Sequence, residues 1–313
     1  MITYAVNRIL MSIPTLFIVS VIVFALMRMV PGDPAAVMVG DLQDPTVLED
    51  LRNEMGLDEP IFVQFTIWIS DVVQGELGTS IMTGEPVLEA LVSRFAVTAQ
   101  IVLVSVAIAI MVAVPAGLLA AARQNSRSDL AVVGFVILGV SLPSFWVGIL
   151  LILIFGVELQ WLPTIGYVSV AENLWLGVQY LILPIFALLL GEMATLTRMM
   201  RSSTIEVLRL EYIMHARAKG LSEQKVLWRH AMPNSFGPVL TIIGLMLGHM
   251  LGGAVVIETV FTLPGLGRFL AEGIYARDYP VVQGALLLVA FIYVSVNLLV
   301  DLLYPVFDPK VRL

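Results

Sequence analysis

Six stretches of this chain contain no Asp, Glu, Lys or Arg: residues 9–27, 95–122, 130–157, 173–191, 230–257 and 279–300. A bilayer core needs about 20 consecutive, mostly apolar residues for one helical crossing. In lipid the backbone must satisfy its own hydrogen bonds, which leaves helices or closed barrels. Runs this long read as helices, so the chain is expected to be all-α and polytopic, with six membrane-spanning helices in one domain, residues 1–313. The wider composition agrees: 13% of residues are charged and 59% hydrophobic, whereas soluble domains carry about a quarter charged residues. The net charge of −7 gives no nucleic-acid signal, and with no cysteine neither disulfides nor thiolate metal sites can form. The first run is too long for a signal-peptide core and has no small-residue cleavage site before Pro31, so it is expected to stay as a membrane helix.

Within this frame, the fourth span should continue past Glu192 to about Thr197. Residues 60–70, with Phe62, Phe65 and Trp68, are too short to cross and are expected to lie at the interface as an amphipathic helix. Pro115 and Pro143 fall inside the second and third spans and should kink them. Gly244, Gly248 and Gly252 make a small-residue stripe on the fifth, suited to close packing within the chain or against a second subunit.

Orientation follows from the Lys and Arg residues. Twelve of the 17 fall at one set of ends if the N-terminus is inside: Arg8, Arg123, Arg127, Arg198, Arg201, Arg209, Arg217, Lys219, Lys225, Arg229, Lys310 and Arg312. The other set holds Arg28, Arg52, Arg94, Arg268 and Arg277. Both termini are therefore expected in the cytoplasm. Residues 30–94 form a long acidic outer loop, entered by the sharp turn Pro31, Gly32, Asp33 and Pro34. A second outer loop, ETVFTLPGLGRF from Glu258, is broken by Pro264, Gly265 and Gly267.

The inner loop, residues 199–233, holds the one long polar segment on that side: EYIMHARAKGLSEQKVLWRHAMPN, 211–234. It reads as two helices around a turn. Ile205, Leu208, Tyr212 and Ala216 make one apolar stripe. Lys219 closes the first helix, and Gly220 stands where a left-handed residue is wanted. Ser222 is placed to cap the second helix through its hydroxyl. That helix should bury Val226, Leu227 and Ala231 and be limited by Pro233. Taken alone, this could be a plain surface hairpin.

Few residues point to chemistry. None of the three lysines, Lys219, Lys225 and Lys310, follows a glycine, so no P-loop is present. His215, His230 and His249 lack metal-ligand spacing, and no metal site is expected. His249, near Met246 and Met250 in the fifth span, is a pore candidate, although a bond to a neighbouring helix is the plainer role. Glu192 and Asp301 are expected to pair with Arg198 or Arg201. No catalytic constellation stands out.

The hairpin resembles the cytoplasmic EAA loop of ABC-importer permeases: Gly220 lies thirteen residues before Pro233, and Ala216 four before the glycine. Met214 and His215 replace the Glu and first Ala of the wider motif, and His230 and Met232 its Ile and Leu. The runs ARAKGLS and RHAMPN, with PGDPA, MGLDEP, GELGTS and the C-terminal DLLYPVFDPK, are similar to the dipeptide/oligopeptide/nickel branch and, within it, to the B subunit of dipeptide permeases. The resemblance implies a type I importer fold and a non-catalytic pore subunit in a bacterial or archaeal inner membrane. It implies as partners a second homologous permease, two cytoplasmic ATPases that bind ATP and Mg, and an external binding protein. The chain itself would hold no cofactor. Glu211, Tyr212, His215, Ala216, Arg217, Ala218, Lys219, Gly220, Leu221, Ser222, His230, Pro233 and Asn234 would form the ATPase-coupling loop. Pro31–Pro34, Glu258, Pro264, Gly265 and Gly267 would face the binding protein. The path should be largely apolar, for peptides or for nickel chelates or glutathione. The rival class, an ion-gradient-driven transporter, would need broken helices and ionisable groups at the bilayer midplane.

Overall fold

The computed structural model describes residues 2–29, 35–36, 45–54 and 56–307, which are predominantly helical, with one isolated bridge between Thr79 and Pro86. Pro31, Gly32, Asp33 and Pro34, and the final residues from 308, lie outside the described residues. Helix α1 (Ile2–Met29) is followed by α2 (Pro45–Glu54), α3 (Ile61–Gln74) and α4 (Val87–Ala122). Next come α5 (Arg127–Ser141), α6 (Ser144–Leu151) running into a π-helical turn (Ile152–Glu158), and α7 (Leu174–Leu208). Then α8 (Glu211–Ala218), a single turn at Glu223–Lys225, a π-helical segment (Val226–Ala231) and α9 (Met232–Val260) lead to α10 (Leu266–Ala276) and α11 (Tyr279–Phe307).

Five of the six expected crossings are unbroken helices. The fourth runs eleven residues beyond Thr197, to Leu208. The third differs: α5 and α6 meet at 97°. Pro143 does more than kink the span. It lacks an N–H to continue α5, and it biases the preceding residue away from helix. Leu142 accordingly takes φ −93°, ψ 123°. Pro115 lies within unbroken α4.

The core forms where α4 and α7 pack along their lengths. Ile101, Ala109, Ala113 and Leu118 meet Ala187, Leu189, Leu196 and Met200, all buried. Small residues allow the close approach: a Cβ on Gly117 would fall 2.7 Å from Met200 Cβ and 2.8 Å from the Thr197 carbonyl oxygen. Helix α9 closes the other side. A Cβ on its Gly244 would fall 2.9 Å from Val300 of α11, and Gly248 fits against the Tyr293 ring, so this part of the glycine stripe serves packing within the chain. Gly252 has open space around it. Helix α1 runs beside α11, its end tied by Arg8 to Asp301 at 3.0 Å.

The chain crosses back and forth so that polar ends gather in two groups. One holds the end of α4, the start of α5, the end of α7 and the hairpin that follows. The other holds residues 56–86, the loop before α7, and α10. In the second group the expected interfacial helix is α3, which extends to Gln74 and is closed by Gly75 at φ 84°. It is more than a surface element: Phe65 and Trp68 pack on Phe24 of α1, with ring centroids 5.3 and 5.5 Å away.

Candidate functional site

The hairpin starts where α7 stops. Leu210 is extended (φ −75°, ψ 147°), which resets the helical phase before α8. The expected stripe through Ile205, Leu208 and Tyr212 is therefore interrupted. Ile213 and Ala216 are the buried residues of α8, and Tyr212 is 38% exposed. Its hydroxyl lies 3.4 Å from the His230 carbonyl oxygen, and partial burial raises its pKa, which keeps the phenol a donor.

Lys219 ends α8, and Gly220 takes φ 79° with nothing within 4 Å of where a Cβ would stand. The Gly220 and Leu221 amides donate back to the Arg217 and Ala216 carbonyls at 2.9 and 3.4 Å. Across the turn, Arg217 Nε and Nη2 reach the two Glu223 carboxyl oxygens at 2.8 and 3.1 Å. Ser222 occupies the cap position, but its hydroxyl makes no cap bond; its carbonyl accepts from Val226 N–H at 2.9 Å.

Val226, Leu227 and Ala231 are buried as expected. Pro233, however, does not end the second helix. The backbone widens into a π-helical segment just before it, and the helix carries on, so that residues 223–260 form one continuous piece. The wider turn accommodates the missing proline N–H, and Asn234 Nδ2 donates to the His230 carbonyl at 2.7 Å. His215, Arg217, Ala218, Lys219 and Gly220 are exposed, and Leu221 is half-buried. The hairpin is thus a polar knob with an apolar base, joined without a break to a membrane helix.

At the opposite end, Glu258, Gly265 and Gly267 are all buried, Glu258 completely, so their side of the loop faces inward. Gly267 does not break a helix: it lies in the first turn of α10, close against Val255. Glu258 accepts from the Thr98 hydroxyl at 2.5 Å and the Arg268 amide at 2.9 Å, and so caps α10. Pro264 is half-buried. The segment before α4 and the loop after α10 are joined, because the Ser80 hydroxyl donates to Asp278 Oδ2 at 2.5 Å.

The pore candidates separate. Met246 and Met250 belong to the core. His249 is 82% exposed, and its Nδ1 lies 2.5 Å from Glu192 Oε1 on α7, whose side chain is 15% exposed. The expected arginine pairings of Glu192 and Asp301 are replaced by His249 and Arg8. Arg201 instead holds Asp129, a pairing that sequence spacing did not signal.

Residues 113–313 match the family described as "Binding-protein-dependent transport system inner membrane component", and residues 1–104 match its N-terminal counterpart. A putative peptide transport system permease protein of Brucella abortus is 42% identical over 306 residues, 98% of each chain. A dipeptide transport system permease protein of Alkalihalophilus pseudofirmus is 38% identical over the whole of both chains. A glutathione transport system permease protein of Escherichia coli K12 is 41% identical, over 100% of this chain and 99% of its own. With its membrane-spanning helices, this chain belongs to the family of binding-protein-dependent transport system inner membrane components and is a multi-pass permease subunit of an ABC importer.

Proposed function

We propose that this subunit forms half of a translocation path for dipeptides, oligopeptides or related small solutes, with nickel chelates and glutathione as alternative cargo of the same kind. A second homologous permease would complete the path. Both termini and the hairpin would lie in the cytoplasm, where the hairpin docks one of two ATPase subunits. ATP and Mg would be bound there and not by this chain. Residues 30–94 and 258–278 would meet an external substrate-binding protein. The names of the peptide, dipeptide and glutathione relatives support the cargo class.

One observation carries the coupling mechanism: the helix that leaves the hairpin at Glu223 runs unbroken to Val260. At 1.5 Å per residue, Glu223 and His249 are joined by about 39 Å of helix. A displacement of the knob is therefore delivered deep into the membrane as a rigid-body movement.

The test is reconstitution of the assembled transporter with its binding protein in liposomes. Loaded binding protein should stimulate ATP hydrolysis and drive uptake from a peptide panel that includes glutathione. The isolated chain should hydrolyse no ATP. Uptake that follows an imposed ion gradient without ATP would overturn the proposal.

A further inference from the structure

The meeting point of α5, α7 and α9 encloses a cavity of about 260 Å³ whose wall includes Leu142, Pro143, Glu192, Thr195, His249 and Gly253. It lies among helices long and apolar enough to cross a membrane. Glu192 is 18 positions after the start of α7 at Leu174 and 16 before its end at Leu208. A carboxyl group within a membrane helix is costly unless it faces a partner or a water-filled space.

His249 supplies one partner, but it does not close the site. The imidazole is largely exposed, and neighbouring Gly252 has nothing within 4 Å of its Cβ position. The pair therefore opens away from the chain's own helices.

The break in the third span adds backbone groups. The last carbonyls of α5 lack helical partners beyond Leu142, while the start of α6 brings amides to the same break. The two helix ends oppose one another electrostatically, so side chains decide the sign. No Lys or Arg lines the cavity, and Glu192 is its one acidic residue. Apart from the His249 imidazole, the Glu192 carboxyl therefore meets no basic side chain in the cavity.

We propose that this cavity is a station for a primary ammonium group, held between Glu192 and the free carbonyls at the end of α5 as cargo crosses. It rests on the reading above only in taking that group to be the amino terminus of a peptide cargo.

The chain has no cysteine, so Thr195→Cys gives a single reporter on the cavity wall when partners are made cysteine-free. In the assembled transporter, modification rates would be compared for a cationic reagent, aminoethyl methanethiosulfonate, and an anionic one, sulfonatoethyl methanethiosulfonate. The cationic preference should exceed that of a free thiol in solution by about tenfold, the factor for 1.4 kcal/mol of favourable local potential. Glu192→Gln should remove the excess, and Glu192→Asp should keep it. Propylammonium and alanyl-alanine should slow modification, and N-acetyl-alanyl-alanine should not. A preference no greater than the free thiol's, or a cysteine that neither reagent reaches, would overturn the proposal. So would equal protection by alanyl-alanine in wild type and Glu192→Gln; peptide cargo would then stand without the site. If propylammonium protects but no peptide does, the ammonium station stands and the peptide reading falls. If Glu192→Gln fails to assemble, the rate ratio at Thr195→Cys with Glu192 or Asp at position 192 decides.

Discussion

Gly265 leaves its side-chain space to Glu258: a Cβ at position 265 would overlap the Glu258 carboxyl group. The carboxyl takes the Thr98 hydroxyl and the Arg268 amide, and the same Thr98 oxygen accepts from the Leu266 amide at 2.8 Å. One buried group thus binds α4, α9 and the start of α10. The loop between α9 and α10 is therefore held from its buried side.

Gly265→Ala should push the carboxyl out of this position. A buried polar group that loses its partners costs about 1–3 kcal/mol. The expected result is a lower Tm of the purified transporter and faster proteolysis within residues 258–278. Thr98→Val removes the hydroxyl alone and should have a smaller effect. An unchanged Tm for Gly265→Ala would show that the carboxyl is free to move.

Asp129 and Arg201 make a second such clamp, with Nε–Oδ1 and Nη2–Oδ2 distances of 2.6 and 2.7 Å between α5 and α7. Asp129 is 2% exposed and also accepts from the Asn125 amide. Asp129→Asn leaves the guanidinium facing a neutral group, at a cost of about 3 kcal/mol, the lower end for breaking a buried pair. Asp129→Asn with Arg201→Gln should recover part of that loss. The check is a double-mutant cycle on thermal unfolding. Strict additivity would mean that the pair is not coupled.

Span count and the hairpin were legible in the sequence because both rest on local signals. Uncharged runs mark lipid-crossing helices, and Gly220 after Lys219 marks a helix end. Pairings were not legible: Arg201 with Asp129 and Glu192 with His249 join residues 72 and 57 positions apart, and charge placement alone suggested other partners. Proline was ambiguous for a physical reason. The same missing N–H is absorbed within α4 at Pro115, accommodated by π-widening before Pro233, and expressed as a 97° break at Pro143. A broken span and an ionisable pair between membrane helices, here Glu192 with His249, are features an ion-driven transporter would use. Family membership over residues 1–104 and 113–313 assigns them to an ABC permease instead.

Topology can be read with introduced thiols, since none is native. Cysteines at Glu76 and Gln224, both exposed and at opposite ends of the spans, should differ toward an impermeant reagent. Position 76 should react from outside intact cells, and position 224 only after the inner face is opened. Labelling of position 224 from outside would invert the orientation taken from the Lys and Arg bias.

The hairpin prediction isolates backbone from space. Gly220 has φ 79° and an empty surrounding, so a side chain there meets no steric clash and only conformational strain. The left-handed region costs roughly 1–2 kcal/mol for an ordinary L-residue, and Asn enters it more readily. A β-branched residue is poorer still there. Gly220→Val should therefore distort the knob, while Gly220→Asn, with a side chain of similar size, should preserve it. Membrane insertion depends on the apolar runs and should be equal for both. In the reconstituted transporter, Gly220→Val is expected to abolish uptake and weaken ATPase co-purification, with binding-protein docking retained. Glu223→Gln loses only an exposed pair with Arg217, worth about 0.2–1 kcal/mol, and should transport at near wild-type rates. If Gly220→Val and Gly220→Asn transport equally, the left-handed turn is not what the ATPase reads. If Gly220→Val keeps full ATPase binding yet fails to transport, the defect lies in transmission along residues 223–260 and not in docking.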